Sequence, residues 1–343
     1  MKKVFALILA LCMVFALCAC ASDNSGTTTT AAKSQTTTGS AAADGEAKYA
    51  VVLKTTTTSF WKNMYDGIAA YAAEKNYDVD LYTAASDSDD AGQLAIVENC
   101  INSGDYAGIA IAPVNSTTLV SAVKLANNAG IPVVNIDERF NVDEMKSQGA
   151  ECVGFASSDN QAIGYMGAEY LCTLIEKGSQ VGVVEGIAGN TSSEERAAGA
   201  KAAFTDNGMD IVADKSCDWD MQTALDTVAA WCMQYPDLKA IYCCNDGMAA
   251  GVRQAVAASG LNILVCGTDG DVDAIEAVAG KASDGVSMTA TVAQDPAKIG
   301  ATCLQLLVDA VANPSAFPGS AEPEKTPVSA ILVTAENAAD YLG

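Results

Sequence analysis

The 343-residue chain contains no histidine. That absence removes Ser-His and Cys-His catalytic pairs, His-ligated zinc and histidine proton relays. Basic residues are scarce as well: 19 Lys and Arg stand against 42 Asp and Glu, a net charge of −23. Such an acidic excess opposes nucleic acid as a partner and opposes electrostatic docking on an anionic lipid surface. No Cys-x-x-Cys pair occurs among the 12 cysteines, so metal-cluster and thiol-exchange chemistry have little support. Aromatic residues are few, at 6%, yet half of the chain is hydrophobic. A disordered protein is therefore excluded, and one or two domains with sizeable cores are expected.

The chain opens on Lys2 and Lys3, an apolar run over residues 4–17, and Leu17-Cys18-Ala19-Cys20. Positive start, apolar middle and small residues at the end read as an export signal. A retained membrane anchor is the alternative. The Leu-x-Ala-Cys end resembles a bacterial lipoprotein signal, which implies a signal peptide over 1–19 and lipid on the Cys20 sulfur. Residues 20–47 are nearly all Ala, Thr, Ser and Gly and read as a flexible tether. Cys12 and Cys18 would leave with the signal. Nine cysteines lie beyond Cys20, and several of them, Cys243, Cys244 and Cys266, lie in apolar runs and read as small core residues. A disulfide framework is not expected in a chain of this size.

From Lys48 onward, short apolar runs alternate with stretches of helical period. The runs 49–53, 109–112, 133–136, 181–184, 241–244 and 263–266 are continuous rather than alternating, with Asn135 the one polar interruption. Parallel strands covered by helices on both faces have that pattern. Segments 60–74, 116–129, 161–176, 194–207 and 247–259 read as helices, several with Ser, Thr, Asp or Asn before them and Gly after. The rhythm runs too long for one sheet, and two doubly wound α/β lobes are the natural division.

Open α/β sheets bind ligands at the carboxyl ends of their strands. Here those ends carry Lys54, Asp137, Asn245, Asp269 and Gln294. Phe60 and Trp61 follow the first strand, Arg196 opens a helix, and Trp219 lies between two aspartates. Any single Asp or Asn in such a place can be a helix cap. Together the set matches a polyhydroxy ligand: carboxylates and amides take pairs of hydroxyls, Arg and Lys donate, and aromatic rings cover C–H faces. A ligand carboxylate would need more positive charge than Lys54 and Arg196 supply.

These residues sit in a serial set of motifs. Tyr49-Ala50-Val51-Val52-Leu53-Lys54-Thr55 is followed by Phe60-Trp61, then by Val133-Val134-Asn135-Ile136-Asp137-Glu138 and Glu185-Gly186-Ile187-Ala188-Gly189-Asn190. Ser193-Glu194-Glu195-Arg196-Ala197-Ala198-Gly199, Asp218-Trp219-Asp220, Asn245-Asp246, Gly267-Thr268-Asp269-Gly270 and Thr289-Ala290-Thr291-Val292-Ala293-Gln294 complete the series. In that order they resemble the bacterial ribose/galactose-type periplasmic sugar-binding proteins. Lys54, Ala112 and Glu138 resemble the D-allose-binding branch. The resemblance implies the type I fold, two lobes joined by a three-strand hinge. It also implies a neutral monosaccharide clamped between the lobes, and delivery to an ABC transporter permease. The expected lobes are 48–158 plus 295–327 and 159–294 plus 328–343. Carried over by position, Lys54, Phe60, Trp61, Asp137, Glu138, Arg196, Trp219, Asn245, Asp269 and Gln294 should line the cleft. A monomer is expected, with no cofactor, no metal and no nucleic acid.

Three competing readings are weaker. Asp137 and Asp269 could serve as an acid/base pair on a sugar, but hydroxyls and Arg196 should keep both ionised. Lys54 would also suit a receptor for a furanosyl quorum signal or a chemotaxis ligand. A transcription regulator of this fold would need a basic headpiece, which is lacking. Asp269-Gly270-Asp271-Val272-Asp273 and Asp87-Ser88-Asp89-Asp90 have alternating acids but lack the rest of a calcium loop.

Overall fold

The computed structural model describes residues 47–342. The expected signal peptide, Cys20 and all but the last residue of the expected tether lie outside the described residues. Two six-stranded sheets organise what is described.

The first sheet takes β1 (Lys48–Leu53), β2 (Asp78–Thr83), β3 (Gly108–Ile111), β4 (Val133–Ile136), β5 (Gly154–Ser158) and β11 (Lys325–Val328). Their order is β11-β5-β4-β3-β1-β2 and every pairing is parallel. Helices α1 (Ser59–Lys75), α2 (Asp90–Ser103), α3 (Val120–Asn128), α4 (Val142–Gln148) and α10 (Pro296–Ala312) cover it. Strand β1 shows why the run is continuously apolar. Tyr49, Val51 and Leu53 point to one face and pack with Met64 of α1 and Ile299 of α10. Ala50 and Val52 point to the other and pack with Val97 of α2 and Val123 of α3. Successive side chains alternate faces, and here both faces are core.

The second sheet takes β6 (Gln180–Glu185), β7 (Asp210–Ser216), β8 (Leu238–Cys243), β9 (Leu264–Asp269), β10 (Ala290–Ala293) and β12 (Ile331–Thr334). Its order is β12-β10-β9-β8-β6-β7, with β12 the antiparallel edge. Helices α5 (Asn160–Cys172), α6 (Thr191–Asp206), α7 (Met221–Gln234), α8 (Asp246–Ser259) and α9 (Val272–Val278) complete the lobe. The chain passes between the lobes three times: from β5 to α5, from β10 to α10, and from β11 to β12. The two doubly wound parallel-sheet lobes expected from the sequence are thus present.

Helices α5 and α6 meet closely because glycine sits on each side of the contact. A Cβ on Gly164 would lie 1.9 Å from the Arg196 carbonyl oxygen, and one on Gly199 would lie 2.0 Å from that of Gln161. The Gly199 of the Arg-x-x-Gly motif therefore seats the helix that carries Arg196. Three helix limits differ from expectation by three residues or more. Helix α6 begins at Thr191 rather than 194, where the Asn190 side chain caps it. Helix α3 begins at Val120 rather than 116, because Asn115 Oδ1 accepts the Thr117 and Thr118 amides and holds that stretch as turns. Helix α5 ends at Cys172 rather than 176, where the Thr173 hydroxyl donates to the Tyr170 carbonyl. All nine cysteines of the described residues are free and buried, and burial pushes the Cys244 thiol up to about 12.

Candidate ligand-binding site

The carboxyl ends of both sheets open onto one cavity of about 150 Å³. From the first lobe, Lys54, Phe60, Trp61, Asp137 and Glu138 line it; from the second, Arg196, Trp219, Asn245 and Asp269 do. Gln294 is the one sequence-expected residue off the wall. It stands behind Asp269, donating from Nε2 to Asp269 Oδ1 at 2.7 Å, and is 8% exposed. Its Oε1 has no partner among the described residues.

In the first lobe, Lys54 directly follows β1 and is buried. Its Nζ lies 5.3 Å from the centroid of the Trp61 ring and 3.9 Å from Glu138 Oε2. Phe60 and Trp61, in the first turn of α1, meet edge to face with centroids 5.0 Å apart. Asp137 has φ of 54° at the centre of a three-residue turn closed by the Glu138 amide on the Ile136 carbonyl at 2.6 Å. A side chain resists that conformation. Asn135 braces it, donating to the Glu138 carbonyl at 2.7 Å and accepting the Phe140 amide at 3.1 Å.

The second-lobe wall is a bonded network. Arg196 donates from Nε to Asn160 Oδ1 at 2.9 Å, and from one terminal nitrogen to the Cys244 carbonyl at 2.8 Å and Asp269 Oδ1 at 3.1 Å. Buried Asp246 fixes the turn after β9: its carboxylate accepts the Gly270 and Asp271 amides at 2.8 and 2.9 Å and the Thr291 hydroxyl. Trp219 lies against the backbone of Gly186, where a Cβ would come 2.3 Å from the indole ring. Gly186 is thus the small residue that lets this ring lie flat at the cavity. Asn245 lines the cavity and also caps α8, accepting the Met248 amide at 2.8 Å; cap and wall are one residue here.

Five non-glycine residues among those described have positive φ. Asn76 ends α1; the other four are Asp137, Asp218, Trp219 and Asp269. Three of these line the cavity and the fourth adjoins Trp219. Strain of this kind persists only where the surrounding structure imposes it, and it concentrates at ligand clamps.

Burial sets the electrostatics. It outweighs the Arg196 guanidinium and pushes the Asp269 carboxyl up to about 7 and the Asp137 carboxyl up to about 6. Removal from water is the larger effect on both groups, and the Arg196 guanidinium the largest opposing one. Burial also raises the Asp87 and Asp271 carboxyls, both of which line the cavity.

Sequence reasoning passed over those two aspartates, along with Val114, Ile187, Asn190, Ser192 and Gly247 on the wall. Asn190 reads as a helix cap and is one, accepting the Ser193 amide at 2.9 Å. Asp271 also holds an N-cap position but makes no capping bond, and its side chain turns to the cavity. Asp87 belongs to the acidic run weighed above for calcium.

Two doubly wound lobes whose strand ends share one cavity define a two-lobed solute-binding protein. The chain belongs to the periplasmic binding protein domain family, whose pattern matches residues 49–315. The D-allose-binding periplasmic protein of Escherichia coli K12 is 42% identical over 292 residues, covering 84% of this chain and 92% of that protein. A D-ribose/D-allose-binding protein of Pseudomonas aeruginosa is 36% identical over 215 residues, or 62% of this chain and 67% of that one. The crystal structure of an ABC transporter periplasmic solute-binding protein from Actinobacillus succinogenes, with bound D-allose, superposes with a TM-score of 0.76. It is 28% identical and covers 86% of this chain and 100% of its own. These relatives are binding proteins rather than enzymes.

Proposed function

We propose that this chain reversibly captures a neutral monosaccharide, D-allose or a related hexose or pentose, and delivers it to the permease of an ABC importer. The observation that carries the reading is the convergence of charged, amide and aromatic side chains from both lobes on one small cavity. Five wall carboxyl groups, Asp87, Asp137, Glu138, Asp269 and Asp271, face only Lys54 and Arg196 as cations. That balance suits hydroxyl donors and disfavours an anionic sugar. Asp137 and Asp269 offer acceptors, with Gln294 supporting Asp269 from behind; Arg196 and Lys54 offer donors, and Trp61 and Trp219 apolar faces.

Closing the lobes brings ligand groups of both halves to bear, so sugar shifts the population toward closed. Micromolar affinity needs about −8 kcal/mol. A few hydrogen bonds to charged groups, at roughly 1.5–3 kcal/mol each, reach it after ordering costs. Neither Asp137 nor Asp269 needs to transfer a proton for this. The finer expectations belong to the same proposal: the lobes divide as read from the sequence, the nine named residues on the wall contact the sugar while Gln294 supports Asp269, and the protein acts as a monomer. Export and a lipid on Cys20 would hold it at the outer face of the cell membrane.

A thermal-shift screen of monosaccharides, followed by calorimetry, tests the reading, because a ligand that binds only the folded state raises the midpoint. D-allose or a close relative should raise it and bind with micromolar or tighter Kd. Failure of every neutral hexose and pentose to do so would contradict the proposal.

A further inference from the structure

Among the described residues, three polar contacts cross between the lobes beside the cavity, and all of them end on the first two turns of α6. Glu138 Oε1 accepts the backbone N–H of Thr191 at 2.7 Å. The Thr191 hydroxyl reaches the Arg139 carbonyl at 3.4 Å. Lys325 Nζ lies 3.7 Å from Glu195 Oε2. The first is the tightest and the most buried: Glu138, in the turn after β4, is 1% exposed.

The chemistry of a helix start explains why this bond forms. The first amides of a helix have no acceptor within it. In α6 the Asn190 side chain takes the Ser193 amide, from within its own lobe. The Thr191 amide, at the first helical position, is taken by a carboxylate from the opposite lobe. That carboxylate also meets the positive end of the helix dipole, with Lys54 Nζ 3.9 Å from its other oxygen. The same helix carries Ser192 and Arg196 into the cavity.

We propose that Glu138 is an interlobe latch. Its bond to the Thr191 amide exists only when the lobes are together, so it biases the molecule toward closure beyond any contact Glu138 makes with ligand. Glu138 is in this sense a positioning residue: it seats α6, and with it Arg196, against the first lobe. The effect on affinity rests on the capture reading above; the bias itself can be measured without ligand.

Thr191→Pro is the decisive variant because it deletes the N–H and leaves the helix intact. Proline is favoured at the first helical position. Asn190 already has the extended backbone, φ −85° and ψ 121°, that a residue before proline requires. Glu138→Gln weakens the same bond from the other side. Small-angle X-ray scattering of the unliganded protein and calorimetry with D-allose give two readouts. We expect both variants to scatter as a larger, more open particle than the wild type, or to bind D-allose about tenfold more weakly, or both. The double variant should lose no more than Thr191→Pro alone, because Glu138→Gln acts on a bond that Thr191→Pro has already removed. Thr191→Ala keeps the N–H and should lose less than Thr191→Pro. Thr191→Pro matching the wild type in both readouts overturns the latch, as does full additivity in the double variant. If D-allose binds none of the proteins while scattering still shifts, the latch stands and capture of that sugar fails.

Discussion

Arg196 in the second lobe commits its Nε and one terminal nitrogen to Asn160, Cys244 and Asp269, whereas the Lys54 side chain in the first lobe makes no hydrogen bond among the described residues. Asp269 is held by Arg196 and Gln294, while the Asp137 carboxylate has only a 3.4 Å bond from Ser157. The Glu138 carboxylate makes its 2.7 Å bond across to the neighbouring lobe. One half of the wall is therefore fixed within its own lobe, and the other half is completed by closure. A sugar would dock on the fixed half first and gain the remaining bonds as the lobes meet.

The sharpest way to break this comparison is to remove the cation from each half. Arg196→Ala leaves Asp269 and the Cys244 carbonyl underpaired in a buried site and should cost about 3–5 kcal/mol of folding stability, read by chemical denaturation. Lys54→Met removes a cation that has no such bonds and should cost less than half as much. Equal losses would mean that the two halves are equally preorganised.

The aromatic residues sharpen the same contrast. Trp61 is packed in the first-lobe core and 7% exposed, so Trp61→Ala should lose about 3–5 kcal/mol of stability together with affinity. Trp219 is half-buried against Gly186, and Trp219→Ala should lose about 1–3 kcal/mol of sugar affinity with little change in the thermal midpoint. Gly186→Ala, which forces the ring to shift, should move affinity in the same direction as Trp219→Ala. Calorimetry and thermal melts on the three variants separate these outcomes.

A smaller effect is expected from pH. The unfolded chain holds these aspartates near their ordinary value of about 3.9, while the folded protein holds Asp137 at about 6 and Asp269 at about 7. The folded state thus binds more protons across that window. Stability from these groups is fully present below about pH 4 and is lost as pH rises through about 6 for the first lobe and about 7 for the second. The thermal midpoint should fall between pH 5 and pH 8. Asp137→Asn should flatten the lower part of that fall and Asp269→Asn the upper part. A midpoint that climbs across this range would show that Arg196, not burial, governs the site.

Much of this was legible in the chain because parallel sheets write themselves plainly. The central strands β1, β3, β4, β6, β8 and β9 are largely buried on both faces and appear as apolar runs, broken in β4 by Asn135 alone. The edge strands β2 and β7 are only partly covered, so they carry Asp and Lys and escaped the same test. Lys54, Asp137, Asn245 and Asp269 were legible because ligand sites collect at strand ends. Asp271 was not, since an aspartate before a helix looks like a cap until its side chain is seen pointing elsewhere. The role of Asp246 was hidden because its partners, Gly270, Asp271 and Thr291, come from two other strand ends. The partner of Glu138 lies in the other lobe, and no local pattern announces it.

A crystal structure of the protein grown with D-allose tests the central claim most directly. The sugar should sit in the shared cavity, bonded to Asp137 or Lys54 on one side and to Arg196 or Asp269 on the other. A sugar bound outside that cavity, or touching a single lobe, would contradict the account.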